Sequence, residues 1–240
     1  MSEIAKKRIG QIEVSLFSSV SQAAAQIICF HLDGFNNAIA INPEKLVRMR
    51  HDRDLLQASK AASINYADGI GVCMALGARS GQKIARIPGI ELWEELMHRS
   101  TLNNVPVFIL GGTKAINNIT VEKLRAELGV NVVGQSDGYF DNHADVIEAI
   151  RNCKAKIISV ALGSPKQELF IEKCREAGLT GFFMGVGGSY DVFSGRVERA
   201  PESFRNLGLE WLYRMLHQPS RIFRQKNLVT FVLLYLRRQL

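Results

Sequence analysis

One unit recurs along this chain and constrains its fold more than any other feature: an apolar run of strand length, a tight polar or glycine turn, then a helix-like segment. Ala38-Ile39-Ala40-Ile41 leads into Asn42-Pro43-Glu44. There Asn suits a helix cap, Pro the first helical position and Glu the positive end of the helix dipole. A helix is expected from that point through about Lys60. Ile64-Asn65-Tyr66-Ala67 meets Asp68-Gly69 and a small-residue helix. The run from Val105 to Leu110 meets Gly111-Gly112-Thr113 and a helix over 114–128. The run from Ile157 to Leu162 meets Gly163-Ser164-Pro165, again a cap followed by Pro. The run from Gly181 to Val186 meets Gly187-Gly188-Ser189. Such alternation predicts an α/β fold: a mostly parallel, Rossmann-like sheet flanked by helices. Ligands of these folds sit beyond the carboxyl ends of the strands, where helix N-termini present free N–H groups. The polar and glycine junctions all fall at those ends, which points to a phosphate-bearing ligand.

Charge divides the chain unevenly. The last 42 residues, from Arg199, hold eight Lys/Arg against two acids, Glu202 and Glu210, within a formal net charge of +7 for the whole chain. Residues 1–198 are nearly neutral, with 22 basic against 21 acidic side chains. The predicted organisation is an α/β domain over 1–198 and a basic, amphipathic, helical C-terminal appendage over 199–240. Pro219 divides that appendage into a helix over 207–217 and a terminal helix from about Arg221. Large apolar groups interleave with its arginines, as in Trp211-Leu212-Tyr213-Arg214 and the run from Phe231 to Leu236. Cationic charge beside such bulk describes a surface that docks on an anionic, partly apolar partner, for which the inner membrane leaflet is the expected candidate.

The longest nearly apolar run covers residues 228–236. As a helix it would span roughly 13 Å, against about 30 Å for the hydrocarbon core of a bilayer. It cannot cross. Dipping into the interface, packing on the body and burial in a homo-oligomer all remain open for it. The N-terminus, MSEIAKKRIG, lacks the apolar core of an export signal, so a cytoplasmic protein, peripheral on the membrane, is expected. A nucleic-acid partner is not expected, because the basic tail comes without a recognisable binding module. Cys29, Cys73, Cys153 and Cys174 are scattered, without a CxxC pair. They read as reduced core residues, and neither a zinc site nor a cofactor is expected.

The individual motifs carry less than their order. Gly185-Val186-Gly187-Gly188 and Gly69-Ile70-Gly71 resemble pieces of a dinucleotide fingerprint. Tyr190 and Met74 occupy the last glycine position, so an NAD site is not expected. Asp52-Arg53-Asp54 is formally an Asp-x-Asp, but on one helix its two carboxylates would diverge, and a solvated surface pair is the simpler reading. Asp68 ends an apolar strand beside Gly69, which lets a substrate approach the backbone. It can serve as a general base or as the cap of the following helix, and spacing does not choose. Ser164-Pro165-Lys166-Gln167-Glu168 opens either a well-capped surface helix or one that aims an amide and a cation at sugar or phosphate oxygens. Arg86, just before a helix start, is placed for bidentate contact with phosphate or carboxylate, or is an ordinary loop arginine. Trp93 and the pair Phe182-Phe183 are assigned to the core. Trp211, among arginines, is left open.

Taken in order, these pieces resemble the WecG/TagA/CpsF family of glycosyltransferases. The resemblance runs through Asn42-Pro43-Glu44-Lys45, Tyr66-Ala67-Asp68-Gly69-Ile70-Gly71, Arg86-Ile87-Pro88-Gly89 with Leu92-Trp93, and Gly163-Ser164-Pro165-Lys166-Gln167-Glu168. It continues through Gly185-Val186-Gly187-Gly188 with Asp191 and Gly195, Arg199-Ala200-Pro201, and the stretch from Leu209 to Arg214 with Pro219 and Arg221. Asp137-Gly138-Tyr139-Phe140 and Tyr190-Asp191-Val192-Phe193 bring it near the branch that transfers N-acetylmannosaminuronic acid in enterobacterial common antigen synthesis. The resemblance implies an inverting, metal-independent transfer from a UDP-linked sugar to a polyprenyl-diphosphate-linked N-acetylglucosamine.

It also implies that Asp68 is the catalytic base and that Asn42, Arg86 and Gln167 line the sugar site. Gly111, Gly112, Asp137, Lys166, Gly187, Gly188 and Asp191 complete the substrate-binding set. Arg214, Arg221 and Arg224 fall on the arginines linked with the lipid diphosphate and the membrane. Ala40 stands where wall-teichoic-acid members carry a threonine, which implies a different donor. Two other classes stay in view: a nucleotide-dependent oxidoreductase, disfavoured by the broken glycine fingerprints, and a non-catalytic protein that recruits lipid-linked glycans.

Overall fold

The computed structural model describes residues 4–217 and 225–240. Its strands are β1 (Lys6–Ile9), β2 (Ile12–Ser15), β3 (Phe35–Ile41), β4 (Ile64–Ala67), β5 (Val107–Gly111), β6 (Val132–Ser136), β7 (Ile157–Ala161) and β8 (Gly181–Gly185). The helices around the sheet are α1 (Val20–Phe30), α2 (Pro43–Arg48), α3 (Arg53–Ala61), α4 (Ile70–Ser80), α5 (Gly89–Leu102), α6 (Lys114–Ala126), α7 (His143–Cys153), α8 (Lys166–Glu176) and α9 (Ser189–Phe193). Three more follow in the basic segment: α10 (Glu202–Asn206), α11 (Glu210–His217) and α12 (Gln225–Leu236). The eight strands form one sheet in the order β1-β2-β4-β3-β8-β7-β5-β6. Every neighbouring pair is parallel except the β1–β2 hairpin. The expected parallel α/β sheet is thus present, with an antiparallel hairpin added at one edge.

Side chains of a strand alternate between the two faces of a sheet, and the central strands are apolar on both. Ala38, Ile64, Tyr66, Val107, Ile109, Ile157, Phe182 and Met184 face one way, onto α1, α5 and α6. Their strand neighbours Ile39, Ile41 and Ala67 face α2, α3 and α4, while Phe108, Leu110, Ile158, Val160 and Phe183 face α7 and α8. Trp93 of α5 is fully buried, against the rings of Tyr190 and Phe193 at 5.4 and 5.1 Å. The four cysteines are free.

One helix expected as a single element is divided, and another starts later than expected. The helix expected through Lys60 is α2 and α3, because Asp52 caps α3 by accepting from Leu55 N at 3.0 Å. Asp52 also pairs with Arg48 at 3.2 Å, so the Asp-x-Asp is half cap and half surface charge. The helix expected over 207–217 is α11, which starts three residues later at Glu210 and is separated from the short α10 before it by Gly208, with φ +70°. A Cβ there would sit 3.1 Å from Ile70, so glycine meets both a backbone and a space requirement.

The C-terminal helices lie against the body. Arg199 pairs with Glu91 of α5 at 2.5 Å and with Glu94 at 3.9 Å. α12 packs on α2, burying Phe231 and Leu234 in the cluster formed by α2, α3 and α4. Its Val229, Val232, Leu233 and Leu236 are exposed. The terminal apolar run therefore splits into a face packed on the protein and a face open to solvent. Arg221, expected to start that helix, lies outside the described residues, and α12 begins at Gln225.

Candidate active site

Parallel register sets the carboxyl ends of β4, β3, β8, β7, β5 and β6 side by side along one edge. The loops there carry, in that order, Asp68, Asn42, Gly187-Gly188, Gly163-Ser164, Gly112 and Asp137. Asp68 N donates to Ile41 O at 3.0 Å, which holds the aspartate beside Asn42. Ile87 N donates to Ala67 O at 2.8 Å and brings the Arg86 loop to the same place. Gly69 permits this crowding: a Cβ on it would lie 2.7 Å from Pro43 Cδ.

The side chain of Asp68 does not cap α4, whose cap is Gly69 without any side-chain bond. Its Oδ1 instead accepts from Gly89 N at 3.1 Å, at the first residue of α5. Burial raises the Asp68 carboxyl above its ordinary value. The Gly89 N–H and then the Arg86 guanidinium pull it down, Glu210 pushes it up, and Lys45 pulls it down, with burial prevailing. A carboxylate of raised basicity at the mouth of a sheet is equipped to take a proton.

Beside it lies a buried polar cluster. Lys45 Nζ meets Glu168 Oε1 at 2.7 Å, with side-chain exposures of 7 % and 2 %. Gln167 Nε2 donates to the same carboxylate oxygen at 3.2 Å, while Gln167 Oε1 accepts from Gly187 N at 3.0 Å. Among the described residues Glu168 Oε2 and the Tyr66 hydroxyl are buried without a hydrogen-bond partner. Burial, then the charges of Asp68 and Glu168, drive the Tyr66 hydroxyl well above its ordinary value. Arg86 reaches Glu210 of α11 at 3.8 Å, which ties the mouth to the C-terminal helices.

The other expected residues spread along the same edge. Asn42 is the cap of α2, its Oδ1 accepting from Lys45 N at 2.9 Å. Gly111, at φ +113°, would place a Cβ 2.4 Å from Ala161 O. Gly112 O accepts from Gly138 N at 2.8 Å, which draws the Asp137 loop inward. Asp137 Oδ1 accepts from Tyr139 N at 2.9 Å. Lys166 is exposed at the start of α8, and Asp191 of α9 faces Arg196 at 3.8 Å. Arg214 belongs to α11, whereas Arg221 and Arg224 lie outside the described residues.

The sequence profile of the glycosyl transferase WecG/TagA/CpsF family matches residues 8–240. The chain belongs to this family. Its members are glycosyltransferases of cell-surface polysaccharide synthesis, and the carboxyl edge brings together a carboxylate, nearby cations and glycine turns. Among the described residues no cluster of three or more His, Cys, Asp or Glu could hold a metal ion, and no helix is long and apolar enough to cross a membrane.

For this glycosyltransferase, reasoning from sequence missed Lys45, Tyr66, Glu168 and Glu210 as parts of the site. All four lie inside motifs that carry the family resemblance, so their neighbourhood was visible. Their roles were not, because Lys45 and Glu168 are 123 positions apart and only the fold joins them. Gln167, expected to aim its amide at substrate, is buried, with both ends of that amide engaged by Glu168 and Gly187.

Proposed function

We propose that this protein moves N-acetylmannosaminuronic acid, with inversion and without a metal, from UDP to undecaprenyl-diphosphate-linked N-acetylglucosamine at the cytoplasmic face of the inner membrane. The acceptor hydroxyl attacks the anomeric carbon as the bond to the UDP phosphate oxygen breaks. Asp68 takes the hydroxyl proton, and UDP leaves with the bonding pair. The observation that carries this reading is the Asp68 carboxylate itself. It stands at the carboxyl edge, bears no helix-capping duty toward α4, accepts one N–H from Gly89, and is made more basic by burial. General-base assistance of this kind contributes roughly 10²–10⁴-fold in rate.

Charge gathering on the leaving diphosphate is met by cations and backbone N–H groups. The Arg86 guanidinium acts on Asp68 through its charge, and Glu210 faces it as an anionic group of a substrate would. The closeness to the uronate-transferring branch favours a donor with its own carboxylate, for which a guanidinium is the fitting partner. Asn42, Lys166, the glycine turns at 111–112 and 187–188, Asp137 and Asp191 form the rest of the donor and acceptor site in this reading, with Gln167 behind the 187–188 turn.

The C-terminal segment delivers the enzyme to its acceptor. The exposed Val229, Val232, Leu233 and Leu236 of α12, the exposed Trp211, and Arg237 and Arg238 combine apolar bulk with cationic charge. Each cation near an anionic leaflet adds about 1 kcal/mol, so attachment is reversible and sensitive to salt.

The deciding experiment offers radiolabelled UDP-sugars with a short-chain polyprenyl-diphosphate N-acetylglucosamine, without added metal. Product from the uronate alone is expected. Product from the neutral N-acetylmannosamine donor instead would redirect the reaction to that sugar. Asp68→Asn should lower transfer by about 10²–10⁴-fold while keeping UDP affinity. Full turnover by that variant would remove Asp68 as the base. No transfer by either protein, with glycolipid binding kept, would identify an assembly factor.

A further inference from the structure

The buried pair Lys45–Glu168 has no part in the mechanism above, yet it lies at the centre of the carboxyl edge. Lys45 comes from the helix after β3, Glu168 and Gln167 from the helix after β7, and Gly187 from the turn after β8. β3, β8 and β7 are consecutive in the sheet. One connected set of contacts therefore joins three adjacent strand ends: Lys45 Nζ to Glu168 Oε1 at 2.7 Å, Gln167 Nε2 to that oxygen at 3.2 Å, and Gly187 N to Gln167 Oε1 at 3.0 Å.

The chemistry of the two ends removes any choice from the amide between them. A backbone N–H can only donate, so Gly187 selects the amide oxygen. A carboxylate can only accept, so Glu168 selects the amide nitrogen. Lys45, held at the same carboxylate oxygen, stops that carboxylate from turning away. The amide lies over Gly185, where a Cβ would come 2.4 Å from Gln167 Nε2, so only glycine lets it sit there. Burying two charges is a poor route to stability, since desolvation offsets most of their attraction. A fixed orientation is what such a pair does provide.

We propose that Lys45 and Glu168 are positioning residues for glycosyl transfer: together they orient the Gln167 amide, and through it the Gly187–Gly188 turn on which the sugar nucleotide is bound. The inference rests on the donor-site reading given above, and its test separates the two. Glu168→Gln replaces an acceptor-only group with one that also donates, so the amide loses its selection. Lys45→Met with Glu168→Met removes both charges while keeping side-chain length, and preserves the fold where a lone uncompensated charge would not.

Two measurements are made on each variant: hydrogen exchange at the Gly187 amide and the Kd of UDP by calorimetry. Both variants, like Gln167→Ala, are expected to lose about tenfold in Gly187 protection and about tenfold in UDP affinity. The double variant Gln167→Ala/Glu168→Gln is expected to be no worse than Gln167→Ala alone, because coupled residues are non-additive. Strict additivity would overturn the proposal, as would unchanged Gly187 protection in a Lys45→Met/Glu168→Met protein that melts like the wild type. Should the wild type not bind UDP, the donor reading falls, and the exchange data still decide whether Glu168 acts through Gln167.

Discussion

Two ion pairs stand at the mouth of this sheet, and they are built differently. Lys45 and Glu168 meet at 2.7 Å with 7 % and 2 % of their side chains exposed. Arg86 and Glu210 stand 3.8 Å apart with 16 % and 12 % exposed. The first joins strand ends inside the α/β body and shares its carboxylate with a buried amide. The second bridges the body to the C-terminal helices, which also hold on through Arg199 with Glu91 and Glu94 and through Phe231 and Leu234 of α12, among other contacts. The shorter, drier contact fixes geometry, while the longer one remains open to competition from solvent ions and from an anionic ligand. The reaction proposed above, with its donor site and its lipid-borne acceptor, has use for both.

The sharpest way to break this contrast is to remove one member of each pair. Lys45→Ala leaves the Glu168 carboxylate buried without its cation and should cost about 3–5 kcal/mol in chemical denaturation. A loss near zero would mean that water reaches the cluster. Next in size is Phe231→Ala, expected to cost about 3 kcal/mol, because it empties the contact by which α12 sits on the body. The loss should be local, with protease cleavage near α12 rising while amides of the central strands stay protected from exchange. Loss of protection across the sheet would show that α12 and the body fold as one unit.

A smaller effect follows from the titration of Asp68. Burial raises its folded-state value, so the charged form is disfavoured in the native protein. The stabilisation that comes with protonation is full below the ordinary carboxylate value of 3.8 and is lost as pH rises through the raised one. Asp68→Asn, which mimics the protonated form, should therefore raise Tm at pH 7, with the gain vanishing below the ordinary value. A variant less stable than wild type at pH 7 would show that the charged contacts to Gly89, Arg86 and Lys45 outweigh burial. The smallest change is expected from Glu210→Gln, within about 1 kcal/mol by denaturation and fading in high salt. A larger, salt-independent loss would place that pair with the buried one and erase the distinction.

Much of this architecture was legible residue by residue. β3, β4, β5, β7 and β8 were each marked by an apolar run ending in Asn, Asp or Gly, because such residues suit the turns and caps that follow a parallel strand. Asn42 and Asp68 were placed at the carboxyl ends of their strands for the same reason, and the sheet order then set them beside one another. β6 was missed, since its Val132-Val133-Gly134-Gln135-Ser136 mixes apolar and polar residues as an edge strand does. The β1–β2 hairpin escaped notice because each strand has only four residues, too few for alternation to stand out. The break at Asp52 was misjudged because a cap inside a helix-like pattern looks the same as a surface charge until the chain is seen to turn.

By itself, then, the sequence determined a two-sided parallel sheet and the edge on which its polar and glycine junctions gather. Hydrophobic period and turn chemistry are local properties, readable a few residues at a time. Only the tertiary structure decided which polar groups would meet: Asp68 with Gly89 at a separation of 21 residues, Lys45 with Glu168 across 123. A buried polar atom takes whatever partner the packed chain brings within about 3 Å, and nothing in its own neighbourhood along the chain specifies which one that will be.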